Sequence, residues 1–351
     1  MQKALIAMSG GVDSGVAAYL TSRAGYDCIG VTMRLYDGED KPKNSCCSLD
    51  DVLDAQSMAR RLSIPHHTFN FKSDFKEKVI EHFVAAYEQG ATPNPCIECN
   101  RSLKFDALFE RAKALGCEYI VTGHYARIIK RHDKFLLCRA ADKSKDQSYV
   151  LYSLTQEQLS HTLFPLGDLS KAETRAIAAR EGLVSADKPD SQDICFIPGG
   201  DYAAFIRRYT GRDYPEGDFV DINGNVLGRH GGIINYTVGQ RKGLGIALGA
   251  PAYVKEIDVV NNRVVLCDNE GLFTDELTAN GFNWVSGEAP AGEVHCTAAV
   301  RYRGVLNPAV ATATADGMVH VKFLKPQRAV TRGQAVVLYD GDIVLGGGTI
   351  C

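Results

Sequence analysis

The start of the sequence most constrains the fold. A short apolar run (residues 3–8) leads directly into SGGVDS (9–14), and the helix-like stretch VAAYLTSRAG follows. Backbone N–H groups at such a strand-to-helix turn form a cradle for an anion, and the glycines allow phosphates to approach the backbone closely. The segment matches neither the Walker A motif nor G-x-G-x-x-G, so a γ-phosphate kinase and a dinucleotide-binding protein are both disfavoured.

Strand and helix signals alternate through the first two hundred residues. Strands are predicted at 28–36, 66–71 and 118–123, and helices at 52–62, 75–90 and 101–116. Capping boxes are predicted at Ser48–Asp51 and at Ser170 with Glu173, and helix stops at Gly25 and Gly182. This order predicts an α/β fold with a doubly wound parallel sheet.

The composition and the hydrophobic pattern of the sequence change after about residue 210. Glycine becomes frequent, and Asn-Gly and Asp-Gly pairs separate short alternating runs, which is typical of hairpins. We expect three domains: an α/β domain at 1–205, a small mixed domain at 206–272 and a C-terminal β-barrel at 273–351.

Composition narrows the class of protein. A net charge of −3 argues against a histone-like nucleic-acid binder, and no apolar run approaches the ~20 residues of a membrane span. We interpret the N-terminal apolar run as a buried strand, which predicts a cytoplasmic protein without a membrane partner. Residues 127–145 carry seven Lys or Arg against two Asp, which by itself indicates a solvated hairpin.

The eleven cysteines are odd in number and scattered, so a disulfide framework is not expected. Five lie in apolar runs and are predicted to be small buried hydrophobic residues: Cys28, Cys117, Cys138, Cys267 and Cys296. Five others lie in polar, turn-rich stretches, where burial as a hydrophobic residue is not expected: Cys46, Cys47, Cys96, Cys99 and Cys195.

The segment TPNPCIECN (92–100) is compatible with half of a zinc site, a redox pair or one working thiol. Cys99 precedes Asn100, a good N-cap for a helix that would begin at Arg101. The positive end of that helix and the arginine would favour a thiolate at Cys99, and would help Cys96 less. We therefore expect Cys99 to be the reactive cysteine.

SGGVDS resembles the signature of the PP-loop ATP pyrophosphatase superfamily. Together with it, NPCIECN (94–100), TGHYAR (122–127), KDQSYVLY (145–152), SQDICFI (191–197), GQRKGLGI (239–246), VRYRG (300–304) and LGGGTI (345–350) resemble the MnmA family of tRNA-specific 2-thiouridylases. The resemblance spans nearly the whole chain. It implies that ATP and Mg²⁺ are used to adenylate the C2 oxygen of the wobble uridine of tRNA. Sulfur from a persulfide then replaces this oxygen, and AMP and pyrophosphate are the other products. The sulfur donor would be a cysteine desulfurase or a sulfur-relay protein.

The resemblance also assigns individual residues. It implies that Cys99 is the nucleophile, that Cys195 carries the persulfide, and that the two form a transient disulfide. ATP binding is assigned to Ala7, Met8, Ser9, Gly10, Gly11, Val12, Asp13, Ser14, Met33 and Gly123. Contacts with tRNA are assigned to Asn94, Pro95, Cys96, His124, Lys145, Asp146, Gln147, Arg301, Tyr302 and Gln334. The contacts at 145–147 would also give the basic 127–145 segment a function in RNA binding.

Some alternatives remain open at this point. Some family members have Asp where this chain has Cys96, and Cys96, Cys99 and Cys195 could instead hold a labile 4Fe-4S cluster with one open iron. Zinc is disfavoured, because no second C-x-x-C pair exists. Competing functions are another PP-loop ligase or thiolase, which the β-rich C-terminal third disfavours, and a non-catalytic RNA-binding or metal-storage protein, which the intact SGGVDS disfavours.

Overall fold

The computed structural model describes residues 1–36, 49–183 and 194–351. Within these residues the strands are β1 (Lys3–Ala7), β2 (Asp27–Arg34), β3 (His66–Asn70), β4 (Tyr119–Val121), β5 (Ala126–Arg131), β6 (Lys134–Arg139), β7 (Thr162–Leu163), β8 (Gly217–Val220), β9 (Val226–His230), β10 (Tyr253–Asp258), β11 (Arg263–Cys267), β12 (Phe273–Trp284), β13 (Glu293–Ala299), β14 (Asn307–Ala313), β15 (Val319–Arg328), β16 (Ala335–Asp340) and β17 (Ile343–Ile350).

The helices of the described residues alternate with the first strands. They span Val12–Arg23, Leu49–Arg61, 72–88 (Lys72–Phe75, a π segment Lys76–Glu81, and His82–Glu88), 95–114 (Pro95–Glu98, a π segment Cys99–Ala107, and Leu108–Ala114), Gln156–Ser160, Lys171–Arg180 and Tyr202–Thr210. Short 3-10 turns lie at Ser148–Leu151, Pro198–Gly200, Ile233–Asn235 and Glu270–Leu272. No described helix combines the length and apolarity that crossing a bilayer requires.

The N-terminal sheet is parallel and has the strand order β3-β2-β1-β4-β7. Alternate residues of β1 face opposite sides, because side chains on a strand have a period of two. Leu5 packs into one cluster with Phe75 and Leu103, whereas Ala4 and Ile6 pack into another that includes Val16 and Met58. Helices therefore cover both faces, and the predicted doubly wound sheet is confirmed.

The residues at the ends of the helices agree with the capping and stop signals in the sequence. The capping box of Ser170 and Glu173 is present, and its helix ends before Gly182, which has a φ of +62°. Gly25, with a φ of +87°, follows the first helix in the same way. These three predictions are confirmed, whereas Ser48 of the other predicted capping box lies outside the described residues.

The C-terminal half contains two further sheets. The strands of residues 217–267 form a four-stranded sheet of order β10-β11-β8-β9. The strands β12-β15-β14-β13-β16-β17 form a barrel that closes through pairing of β12 with β17. The predicted C-terminal β-barrel is therefore confirmed.

The basic 127–145 segment forms the β5–β6 hairpin and extends the barrel sheet, where Cys138 of β6 pairs with Ile343 of β17. Asp342 accepts a hydrogen bond from Arg127 (3.1 Å) and forms an ion pair with Lys143 (2.6 Å). The hydrogen bond from Lys143 is the main reason that the pKa of Asp342 is lowered. The tip of the hairpin is exposed, as a solvated hairpin requires, but Arg127 and Lys143 also attach the segment to the barrel.

Candidate active site

The phosphate loop lies at the carboxyl end of β1, beside the point where the strand order reverses between β1 and β4, which is where open α/β sheets bind ligands. Gly10 has a φ of +76°, and a Cβ there would collide with the carbonyl oxygen of Asp51. Ser14 fixes the turn, because its hydroxyl donates to Gly11 O (3.0 Å) and accepts from Ser9 N (3.1 Å). These hydrogen bonds stabilise the conformation of the loop.

Asp13 forms the polar centre of this loop. Lys171 Nζ lies 2.7 and 2.9 Å from its two carboxylate oxygens, and Tyr125 donates a hydrogen bond to it (2.9 Å). Lys171 is the first residue of its helix, which follows β7, so the helix N-terminus points to the same sheet edge as the loop. A cation next to a phosphate cradle is suited to bind the phosphates of a nucleotide. Sequence reasoning did not single out Lys171.

Gly123 follows β4 and packs directly on the start of the first helix. A Cβ at this position would lie 2.8 Å from both Asp13 C and Ser14 N, which are backbone atoms that cannot move aside independently. Met33 lies near the end of β2, where it is only 8% exposed and packs into the core. Its predicted ATP contact stays a prediction, as does that of Gly123.

We expect Gly123→Ala to destabilise the chain by about 1–3 kcal/mol, the usual cost of forcing atoms into a packed site. It should also weaken ATP binding, because the clash displaces the backbone of the phosphate loop. Gly231→Ala is the matched control, since a Cβ there would meet only one side-chain atom, at 4.0 Å. Urea unfolding and ATP titration of both variants measure the two effects. Equal stabilities would contradict the predicted clash.

The 95–114 helix, named the cysteine helix here, begins earlier than predicted. Asn94 is its N-cap and accepts a hydrogen bond from Cys96 N (3.1 Å), and Pro95 occupies the first helical position. Proline is favoured there because its φ suits a helix and its missing N–H is not needed. The prediction that Asn100 caps a helix starting at Arg101 was wrong. Cys96 therefore lies closer to the helix N-terminus than Cys99.

The residues that follow Cys99 are engaged within the protein. Arg101 forms an ion pair with Glu98, which also accepts a hydrogen bond from Ser102. The charge of Arg101 is therefore partly neutralised by Glu98 and stabilises a Cys99 thiolate less than predicted. Asn100 is buried and donates to Val150 O (3.1 Å). This hydrogen bond ties the cysteine helix to the turn Ser148–Leu151.

The two cysteines of the predicted sulfur transfer are less exposed than Cys96. Cys99 and Cys195 are both half-buried thiols that pack against the same hydrophobic cluster, whereas Cys96 is exposed. Among residues 1–36, 49–183 and 194–351, no three histidine, cysteine or acidic side chains come together as a metal-binding group, and this includes Cys96, Cys99 and Cys195. Cys46 and Cys47 lie outside the described residues.

The five cysteines predicted to be buried divide into two groups. Cys28, Cys117 and Cys138 are buried, as predicted, while Cys267 and Cys296 are half-buried. Desolvation raises the pKa of Cys28 and of Cys296 to about 11, so both thiols stay protonated near neutral pH. These cysteines are therefore poorly suited to act as nucleophiles.

The barrel supports the loop that precedes the cysteine helix. Thr92 N donates to Arg332 O (2.8 Å), and the Gln334 side chain donates to Thr92 O (2.8 Å). Gly333 packs closely here, since a Cβ would lie 3.0 Å from Thr92 N. Gln334, a predicted tRNA contact, thus holds the start of the cysteine helix through its backbone.

Two of the other predicted tRNA contacts have structural partners. Asp146 accepts hydrogen bonds from Ala140 N (3.0 Å) and Ser148 Oγ (2.9 Å), and its side chain is only 10% exposed. Gln147 accepts from Tyr125 N (3.0 Å). Lys145 is half-buried next to them. Asp146 and Gln147 therefore organise the segment, and their predicted RNA contacts stay predictions.

His124 is 7% exposed, and its ring packs against Phe105 and Phe164. Its Nδ1 lies 2.6 Å from Thr122 Oγ1. Burial, and to a smaller extent the charge of Lys104, holds the pKa of His124 well below its usual range. The imidazole is therefore neutral at pH 7, and its predicted contact with tRNA would require it to leave the core.

This burial predicts a pH dependence of stability. Below pH ~6.5 the unfolded chain binds a proton at His124 that the folded chain does not bind, so stability should fall as pH decreases. The loss attributable to this group reaches up to about 2 kcal/mol between pH 6.5 and 5. Urea unfolding at pH 7 and pH 5 should show a smaller loss for His124→Phe than for wild type, and His295→Gln, at an exposed site, should match wild type. Equal losses in His124→Phe and wild type would contradict the prediction.

Family profiles match the chain in three consecutive parts. The profile described as "tRNA methyl transferase HUP domain" matches residues 2–199, the "PRC-barrel domain" of the same family matches 203–268, and the "Aminomethyltransferase beta-barrel domain" matches 274–350. A protein named tRNA-specific 2-thiouridylase MnmA from Lachnoclostridium phytofermentans is 51% identical, over 100% of this chain and 99% of that protein. The chain belongs to the MnmA family.

Other relatives agree with this assignment. A tRNA-specific 2-thiouridylase MnmA from Clostridioides difficile is 47% identical over 99% of this chain and 98% of its own length. Similarity to solved structures is weaker. The NMN synthetase from Francisella tularensis has a TM-score of 0.34 at 19% identity, over 54% of this chain and 66% of that chain. A 4-thiouridine synthetase–RNA complex with bound ATP has a TM-score of 0.40 at 20% identity, over 56% of this chain and 45% of that chain. The assignment therefore rests on the family profiles and the full-length relatives.

Proposed function

We propose that this MnmA-family chain catalyses the ATP-dependent 2-thiolation of the wobble uridine of tRNA. One geometric observation supports this beyond family membership. The cysteine helix leads into the parallel strand β4, so it runs opposite to the strands and its N-terminus lies at the carboxyl edge of the sheet. That edge also holds the phosphate loop, so the phosphate loop and the start of the cysteine helix lie at the same edge of the sheet.

In the first step the C2 oxygen of the uridine attacks the α-phosphorus of ATP. The bond between the α- and β-phosphates breaks, pyrophosphate leaves, and the oxygen becomes part of an adenylate. The phosphate loop and Lys171 are suited to hold the departing pyrophosphate by N–H groups and charge. Asp13 would supply carboxylate oxygens to Mg²⁺, which is usually bound by one or two carboxylates plus substrate phosphates.

In the second step the terminal sulfur of a persulfide on Cys195 attacks C2, and the C2–O bond breaks as AMP leaves. The Cys99 thiolate then attacks the sulfur of Cys195 and breaks its bond to the transferred sulfur. The products are 2-thiouridine and a Cys99–Cys195 disulfide. A dithiol or equivalent two-electron reductant must reduce this disulfide, and a cysteine desulfurase or sulfur-relay protein must reload Cys195.

The domains divide this work in the proposed function. Residues 1–205 bind ATP, carry Cys96, Cys99 and Cys195 and supply part of the tRNA contacts, while 206–272 and 273–351 supply the rest. The barrel supports the catalytic region indirectly, because Arg332 and Gln334 hydrogen-bond to Thr92 in the loop before the cysteine helix. The cytoplasmic location remains a prediction.

The test is mass spectrometry of nucleosides from unmodified tRNA after incubation with the purified chain, ATP, Mg²⁺ and a cysteine desulfurase with cysteine. We expect 2-thiouridine at the wobble position only when ATP is present. Product only after iron–sulfur reconstitution without oxygen would favour the cluster mechanism over the persulfide. Absence of thiolated uridine under both conditions would reject the proposed function.

A further inference from the structure

The loop 142–147, which follows the β5–β6 hairpin, is hydrogen-bonded to the two residues that hold Asp13. Gln147 Oε1 accepts a hydrogen bond from Tyr125 N (3.0 Å), and Gln147 N donates to Tyr125 O (2.8 Å). At the other end of the loop, Asp142 accepts a hydrogen bond from Lys171 N (3.2 Å). The 142–147 loop therefore contacts the backbone of both Tyr125 and Lys171.

Two carboxylates stabilise the conformation of the 142–147 loop. Asp142 Oδ1 accepts hydrogen bonds from Ser144 N (3.0 Å) and Ser144 Oγ (2.6 Å). Asp146 Oδ1 accepts from Ala140 N (3.0 Å) and Ser148 N (3.2 Å). Both ends of the loop are thus held by contacts of its own side chains, and a loop held in this way is suited to position its neighbours.

Tyr125 carries the contact from this loop to the phosphate loop. The residue is only 2% exposed, and its hydroxyl donates to Asp13 Oδ1 (2.9 Å) and lies 3.0 Å from Thr174 Oγ1. A phenol has one proton to donate, and a carboxylate attracts that proton more strongly than a neutral hydroxyl does. The hydroxyl proton of Tyr125 is therefore directed to Asp13.

The two partners of Asp13 occupy its oxygens unequally. Oδ1 accepts hydrogen bonds from Tyr125 and from Lys171 Nζ (2.7 Å), whereas among the contacts of the described residues Oδ2 accepts only from Lys171 (2.9 Å). Each carboxylate oxygen has about two acceptor sites, so Oδ1 is saturated and Oδ2 retains one. The Asp13 side chain is 34% exposed, which leaves it accessible to a ligand. Tyr125 thereby determines which oxygen remains available to a cation.

We infer that the 142–147 loop positions Asp13 for the Mg²⁺ that accompanies the nucleotide. Tyr125 is the positioning residue that contacts the carboxylate, and Gln147 acts through Tyr125. This inference rests on the proposed function and adds to it the residues that prepare the metal ligand. It gives Gln147, whose assigned role is a contact with tRNA, an effect on nucleotide binding when no RNA is present.

The test measures nucleotide binding by the intact chain without RNA. Isothermal titration calorimetry uses α,β-methylene-ATP, which cannot release pyrophosphate, first with Mg²⁺ and then with EDTA. Tyr125→Phe removes only the hydroxyl, and its affinity with Mg²⁺ should be about tenfold lower than that of wild type, as expected for loss of a hydrogen bond to a charged group. With EDTA the two affinities should agree within about twofold, because the hydroxyl acts on the carboxylate that would bind the metal.

Two further variants test the loop and the specificity of the effect. Gln147→Leu removes the acceptor of the Tyr125 N–H and should lower the affinity with Mg²⁺ about threefold, as expected for loss of a neutral hydrogen bond. Tyr202→Phe is the matched control, because that hydroxyl lies 3.3 Å from Asn235 O and 3.2 Å from Thr237 Oγ1 and takes no part in the contacts of Asp13. It should bind the analogue with wild-type affinity. Wild-type affinity of Gln147→Leu would overturn the role of the loop.

The outcomes for Tyr125→Phe decide the inference separately from the enzymatic activity. Wild-type affinity with Mg²⁺ would overturn the inference, and so would losses of equal size with Mg²⁺ and with EDTA, which would indicate a general structural effect. Nucleoside analysis of the wild-type protein tests the activity. Formation of 2-thiouridine together with wild-type nucleotide binding by Tyr125→Phe rejects the positioning role alone. Absence of 2-thiouridine rejects the proposed function, while the calorimetry still decides the role of Tyr125.

Discussion

Cys99→Ala is expected to lower the rate of 2-thiouridine formation by more than about a thousandfold, as expected for loss of a nucleophile. Cys96→Ala should retain activity within about tenfold of wild type. Cys99 and Cys195 are both half-buried, whereas Cys96 is exposed. The two variants alter neighbouring positions of one helix, so each serves as the control for the other.

The measurement combines nucleoside mass spectrometry with disulfide mapping under non-reducing conditions. After one turnover the wild type and Cys96→Ala should contain a Cys99–Cys195 disulfide, and Cys99→Ala should not. Complete inactivity of Cys96→Ala without oxygen, together with loss of a visible iron–sulfur absorbance, would contradict the persulfide route. It would then indicate that Cys96 is a cluster ligand.

The second large effect concerns nucleotide chemistry. Asp13→Asn is expected to reduce tRNA-dependent pyrophosphate release by at least about a hundredfold while leaving tRNA affinity nearly unchanged. The substitution removes the carboxylate that holds Lys171 and Tyr125 and that is suited to bind Mg²⁺. Asp168→Asn is the control, because that carboxylate is 84% exposed and its ion pair is with Arg127.

Pyrophosphate release is measured with an enzyme-coupled assay, and tRNA affinity by filter binding. Loss of RNA affinity in Asp13→Asn would contradict the division of labour between the phosphate loop and the RNA-binding surface. Lys171→Met should reproduce the loss of pyrophosphate release, because Lys171 and Asp13 act as a pair. A fully active Lys171→Met would remove this lysine from the proposed site.

Much of the architecture was predictable because local patterns specify it. The alternating burial along β1, the glycines that follow it and the capping box at Ser170 each depend only on residues that are close in sequence. The same is true of the hairpins that build the barrel. Where short-range signals decide the structure, predictions from the sequence were confirmed.

The start of the cysteine helix shows where such reasoning fails. Asn94 and Asn100 are both acceptable N-caps, and the residues between them are compatible with a turn or with a first helical turn. Tertiary contacts decide between them: the barrel holds Thr92, and Val150 accepts from Asn100, which is then buried within the helix. The helix-dipole argument for Cys99 therefore no longer distinguishes it from Cys96.

The sequence by itself determined the parallel α/β domain with its phosphate loop, the β-barrel and the resemblance to the MnmA family, because motifs and periodicities are local properties. Only the tertiary structure decided that Lys171 pairs with Asp13, that His124 is buried and that the barrel holds the loop before the cysteine helix. Each of these depends on residues distant in sequence, up to 242 positions apart for Gln334 and Thr92. Such contacts form only when whole domains pack, and no local pattern encodes them.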